Sequence, residues 1–146
     1  MLERIVKILL VTSFLLMTSC SSEKAPVEEK TLDLRDFSDT MAYSQLLNII
    51  KDPTDYLGDR IILTGVFTAP FNGFSHEYNY TITIQDNTQC CAQGIEFMPK
   101  KKMDYPDDFP GEGEMLSISG ILTMFEEGKH GYVYIADAEL IEEISG

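Results

Sequence analysis

Two stretches of this chain repeat one pattern: Leu63-Thr64-Gly65-Val66-Phe67-Thr68 and Ile118-Ser119-Gly120-Ile121-Leu122-Thr123. Each is a run of β-branched and apolar residues broken by one glycine. Such runs form strands, and a glycine inside a strand weakens it unless the chain bulges or bends there. Two copies of six residues are too little for a repeat protein. They mark two bent strands instead. From Arg60 onward the apolar period is two, and five strands are predicted: Arg60–Thr68, Tyr78–Asp86, Gly94–Met98, Glu114–Phe125 and Gly131–Ile141. The second alternates cleanly, with Tyr78, Tyr80, Ile82 and Ile84 on one face. Turn signals separate the five: Pro70–Gly73, Asp86–Asn87, Pro99–Gly113 and Glu126–Gly131.

Five strands bent in the first and fourth predict a mainly β fold, a small five-stranded Greek-key barrel of the OB type. The alternative is an open antiparallel sheet with a helix on one face. The helix precedes the strands. In Ser38–Lys51 apolar residues recur at three- and four-residue spacing, Ser38, Asp39 or Thr40 can cap the start, and Pro53 stops it. OB barrels usually carry a helix between strands three and four. Here Pro99–Gly113 holds three prolines and cannot make one. The early helix is expected to plug the barrel end instead.

Residues 1–19 read as an export leader. Arg4 and Lys7 precede a short apolar run, Ile8–Met17, which falls short of the roughly 20 residues a membrane span needs. Met17-Thr18-Ser19-Cys20 resembles the lipobox of bacterial lipoproteins, with Met17 where Leu is commonest. Cys20 is therefore the expected lipidation site and the lipid the expected hold on the membrane. Residues 20–37 read as the lipidated cysteine and a flexible tether of Ser, Pro, Glu and Lys, and residues 38–146 as the barrel domain. The address implied is the bacterial cell envelope, outside the cytoplasm.

Charge excludes one large class of partner. The chain carries 11 basic and 24 acidic residues, a net charge of -13. Loss of the leader makes it -14. OB folds hold single strands in basic grooves, so no nucleic-acid binding is expected.

The helix ending in Asp52-Pro53-x-x-Tyr56-Leu57-Gly58, the glycine-bearing strand, and Gln85-Asp86-x-x-x-Cys90-Cys91-Ala92-Gln93-Gly94-Ile95-Glu96-Phe97, followed by Tyr105-Pro106 and Ser119-Gly120-Ile121, resemble OB-like bacterial lipoproteins with a Cys-Cys-x-x-Gly-Ile/Leu-Glu-Phe segment. More distantly the chain is similar to the extracytoplasmic domain of a family of permease subunits that also has a Cys-Cys pair. The resemblance implies a fold and a cell-surface address. It also implies a permease or another envelope protein as partner.

Cys90 and Cys91 stand out as redox or metal candidates. A disulfide between neighbours is strained, since bridged Cα atoms prefer 4.4–6.8 Å and adjacent ones lie near 3.8 Å. A zinc site normally spaces its thiolates and needs about four ligands, and only His76 and His130 are available. The third reading is packing, with one cysteine buried in the barrel and the other exposed, as alternation along an extended stretch would place them. Asp86 and Glu96 flank the pair and disfavour a catalytic thiolate. The ligand-binding candidates are Tyr78, Tyr80, Tyr132 and Tyr134, since aromatics on OB strands form stacking platforms. Phe71 and Phe74 sit in the loop after the first strand. The acidic loop of Asp104, Asp107, Asp108, Glu112 and Glu114 lacks calcium-loop spacing and reads as a solvated face.

No phosphate-binding glycine loop or nucleophile elbow is present, and no cofactor is expected. The function expected is a non-enzymatic, membrane-anchored binding module. The alternative is a metal or redox accessory of a permease acting through Cys90 and Cys91. The anchor makes the first prediction. Cys20→Ala should leave the protein unprocessed or released, read by membrane fractionation and mass. A processed, membrane-bound mutant would sink the lipoprotein reading.

Overall fold

The computed structural model describes residues 29–88, 90–127 and 130–141. The leader, Cys20 and the first part of the tether lie outside the described residues. The elements are β1 (Thr31–Asp33), a single 3-10 turn (Leu34–Asp36), α1 (Asp39–Lys51), β2 (Arg60–Thr68), β3 (Phe71–Asn72), β4 (Glu77–Tyr78), β5 (Thr81–Gln85), β6 (Ala92–Pro99), β7 (Met115–Glu127) and β8 (His130–Ile141).

Strands β2, β5, β6, β8 and β7 lie side by side in that order, and β7 pairs back onto β2 to close the barrel. β6 and β8 run parallel and the other barrel pairs antiparallel. This is the five-stranded OB-like barrel that the strand pattern predicts. β2 shows why its sequence belongs here. Ile61, Leu63 and Phe67 face inward and are fully buried, Gly65 falls on the same buried phase, and the alternate residues are half-buried.

Both glycines serve close approach. A Cβ on Gly65 would lie 2.5 Å from the Thr83 carbonyl oxygen. Gly65 falls where one edge of β2 changes partner, from β1 at Arg60–Ile62 to β5 at Val66–Thr68. A Cβ on Gly120 would lie 2.5 Å from Ile135 Cγ2 and 2.6 Å from the Ala136 oxygen. There the β7–β8 register shifts between Ser119 and Ile121, and Asp137 on β8 takes a positive φ of 50°.

α1 buries Ala42, Leu46 and Ile49, which share one face. It packs against β5 and β6 and joins the barrel core there. The far end of the barrel is closed by the β6–β7 loop. Its Phe109 stacks on Phe67 at 5.2 Å, with ring planes 6° apart. An aromatic plug thus stands where other OB barrels place a helix. Three acidic residues of this loop accept from backbone N–H groups, two within the loop and one beyond β2. The Asp108 carboxylate accepts from the Asp104 N–H, Glu112 from Ala69 and Glu114 from Gly111.

Two expectations need correction. The tether does not run to Phe37. β1 pairs in parallel with β2. Leu34 is 2% exposed within the core, and Leu32 and Phe37 pack against it. Three large apolar groups, diluted by charged neighbours, suffice to dock the segment. The predicted strand Tyr78–Asp86 is split. Glu77–Tyr78 pairs with Phe71–Asn72 as a small hairpin, and the barrel strand proper begins at Thr81. The hairpin was not predicted, because two-residue strands carry no period. Its turn is held by the Asn72 side chain, whose Oδ1 accepts from the Phe74 N–H at 3.0 Å.

Two substitutions test this architecture in thermal or urea unfolding. Leu34→Ala should cost about 2–5 kcal/mol, the range for a buried leucine, whereas a tether residue would cost nothing. Gly120→Ala should cost about 1–3 kcal/mol by overpacking.

Candidate functional site

Alternation on the parallel pair β6–β8 builds the main feature. Ile95, Phe97 and Ile135 point into the core. Their neighbours Glu96, Met98, Tyr132 and Tyr134 therefore stand on the outer face, with Glu96 opposite Tyr134. The β3–β4 hairpin and the β6–β7 loop rise beside this face. Together they form a groove of about 650 Å³ lined by Tyr78, Tyr80, Tyr105, Tyr132, Tyr134 and Met98, among others. All four predicted tyrosines meet there.

Their roles differ. Tyr132 is 54% exposed and Tyr78 40%. Tyr132 lies between Phe125 (5.4 Å) and Tyr134 (6.0 Å). Tyr78 contacts Phe71 (5.3 Å) and Tyr105 (4.9 Å). Tyr80 belongs as much to the core. It packs on Phe109 at 4.4 Å, and its hydroxyl reaches the Met103 carbonyl at 3.4 Å. Burial, with Asp104 adding to it, pushes its phenol pKa up. Tyr105 was missed in the sequence. Its place in a proline-rich loop hid it, and only its neighbour Pro106 hinted at a fixed backbone. Glu77, Glu96 and Asp104 rim the groove against Lys101 and Lys102. A second depression of about 690 Å³ shares Asn79, Glu96 and Tyr132 with the groove and extends to Lys51 and Met124.

The cysteines lie at the other end of the barrel, in the β5–β6 turn. Both are free and both are exposed, so the expectation of one buried and one exposed thiol is wrong. Its premise was an extended backbone, and regular pleating begins only at Ala92. The turn brings the two Sγ atoms to 3.5 Å. Asp86 organises it. One carboxylate oxygen accepts from the Cys91 N–H at 3.4 Å, and the other accepts from the Thr88 hydroxyl at 2.9 Å. Cys90 Sγ lies 2.9 Å from Thr88 Oγ1 and 3.6 Å from Asp86 Oδ2. Tyr43, on α1, acts on the Cys91 thiol and partly offsets the upward shift of its pKa. Neither Tyr43 nor Thr88 was legible as part of this cluster. Of the two carboxylates flanking the pair in sequence, only Asp86 is here; Glu96 belongs to the groove, 3.5 Å from the Asn79 amide.

Cys90 holds the Cys91 thiol above its ordinary pKa, and burial and the Asp86 charge act in the same direction. The Thr88 hydroxyl bond lowers the Asp86 carboxyl. One ligand atom each from Asp86, Cys90 and Cys91 lies within 4.8 Å of the others, and among the described residues no histidine joins them.

Comparison with known proteins yields little. No protein family and no curated protein matches the chain. One solved structure aligns over 78% of this chain and 92% of its own, at 15% identity and a TM-score of 0.44. It is a lipoprotein of Klebsiella pneumoniae subsp. pneumoniae MGH 78578 described as a candidate nucleic acid-binding protein. Similarity at that level transfers no function. The class that this chain's own strands define is the OB-like barrel.

Alkylation of the unreduced native protein should label Cys90 and Cys91 both, counted by mass. The Cys91 rate should rise at higher pH in the folded than in the unfolded protein, because its thiolate forms later. A single labelled thiol, or none, would contradict this geometry.

Proposed function

We propose that this protein is an exported, lipid-anchored, non-enzymatic binding module of the bacterial envelope, and that its ligand lies in the tyrosine groove. The observation that carries this is the convergence of five tyrosines, from β4, the β4–β5 link, the β6–β7 loop and β8, on one concave face. A tyrosine offers a flat apolar face and a polar tip. Such a surface suits a ligand that is flat or ring-shaped and rich in hydroxyls. Carboxylates on the rim, Glu77, Glu96 and Asp104, accept hydrogen bonds from hydroxyl groups. They outnumber Lys101 and Lys102 on the same rim, so the groove offers phosphate no basic cradle, and a chain at -13 repels it further. Oligosaccharides, which OB barrels are known to take, therefore fit better than nucleic acids.

The protein contains no tryptophan and five of its seven tyrosines line the groove, so its intrinsic emission is weighted toward the groove. Titration of the lipidated protein in detergent with cell-wall glycan strands and chitin oligosaccharides should give a saturable change in tyrosine emission. Tyr132→Ala and Tyr78→Ala should each weaken it about tenfold, near the low end of what one stacking aromatic contributes. Salt-sensitive affinity for single-stranded DNA, or glycan binding indifferent to both substitutions, would overturn the proposal.

A further inference from the structure

We propose that Asp86, Cys90 and Cys91 form an exchangeable site for a thiophilic divalent cation, with Zn²⁺ as its representative. The proposal is independent of the groove. It rests first on spacing. Two sulfurs on tetrahedral zinc, each bonded at about 2.3 Å, lie roughly 3.8 Å apart. The two Sγ atoms are 3.5 Å apart already, so the turn needs almost no rearrangement to grip a metal. Adjacent residues make the chelate with little chain to order on binding.

The third donor is held in place. The Asp86 carboxylate is fixed by the Cys91 N–H and the Thr88 hydroxyl, as outer-shell hydrogen bonds fix a metal ligand. Donor chemistry then selects the ion. Calcium and magnesium want oxygen ligands throughout, which excludes them from a site with two sulfurs. Two soft thiolates with one carboxylate suit zinc and its d10 relatives. Binding releases the two thiol protons to solvent as two metal–sulfur bonds form, and no electrons move.

Three protein donors leave a fourth position facing solvent, since both cysteines are exposed. Structural zinc sites are closed by four ligands, and open ones exchange their fourth. The site is therefore suited to taking up and passing on a cation rather than to stabilising the fold.

The test uses the full chain, purified in detergent under reducing, oxygen-free conditions and stripped with a chelator. Zn²⁺ is titrated against a chromophoric competitor, and Co²⁺ is used as a spectroscopic probe. One equivalent per chain is expected, with a thiolate-to-cobalt charge-transfer band. Cys90→Ser and Cys91→Ser should each weaken binding by ~100-fold and Asp86→Asn by ~10-fold, the scale on which ligands and their supports act. Tyr132→Ala should leave it unchanged. Circular dichroism establishes that each variant is folded. Should a serine variant fail to fold, N-ethylmaleimide treatment of the folded wild type removes the same donors and should abolish the charge-transfer band. Absence of uptake by the reduced wild type, or uptake unchanged in both serine variants, overturns the site. So does isolation of the native protein with the two thiols joined as a disulfide.

Discussion

The ring of Phe67 is the point on which the groove depends. It is fully buried near the end of β2 and lies within 6.3 Å of Tyr80, Phe97, Tyr105 and Phe109. Those partners come from the β4–β5 link, β6 and the β6–β7 loop. Three of them, Tyr80, Phe97 and Tyr105, also line the groove. One side of each tyrosine is therefore set by core packing and the other is offered to solvent. A binding surface built this way is largely ordered before a ligand arrives, which spares the entropy of fixing those side chains on binding. It also means that core and groove cannot be altered independently. A smaller residue at Phe67 would loosen the groove floor without touching its lining.

Periodicity made the barrel legible. β2 was predicted residue for residue, because Ile61, Leu63 and Phe67 alternate with half-buried neighbours around a single glycine. β8 was placed to within one residue at its start. The strand glycines carried real information, since both mark points where a side chain would strike a neighbouring strand. Segments too short to show a period were lost. β1 has three residues, and the hairpin strands have two each. Leu32, Leu34 and Phe37 looked like scattered apolar residues in a polar stretch, and only the neighbouring barrel gives them a place to dock.

The candidate sites were legible in unequal measure. Tyr132 and Tyr134 follow from strand alternation, which a sequence displays. Their meeting with Tyr105 depends on how a loop with no period folds across the barrel end, which a sequence does not display. The cysteine pair was visible as a motif, but its geometry was misread by extending the strand rule into a turn. Tyr43 shows a further limit. It sits on a helix nearly fifty residues from Cys91 and looked like one more apolar position at helical spacing. The two sites lie at opposite ends of β6, an eight-residue strand that extends over roughly 23 Å. At that distance changes in one should leave the other untouched.

The pairing of β1 has a mechanical meaning. Any pull on the chain ahead of Thr31 enters the barrel along this strand. β1 runs parallel to β2, and the bond from the Arg60 N–H to the Lys30 carbonyl opens the ladder. A force along the strand axis loads that bond, the three register pairs and the docked Leu34 together, in shear. A hairpin pulled from its open end would give way one bond at a time. The resistance of a protein to such a force is set by its unfolding rate rather than by its equilibrium stability. The segment that looked like slack line is thus the fitting through which tension would reach the fold.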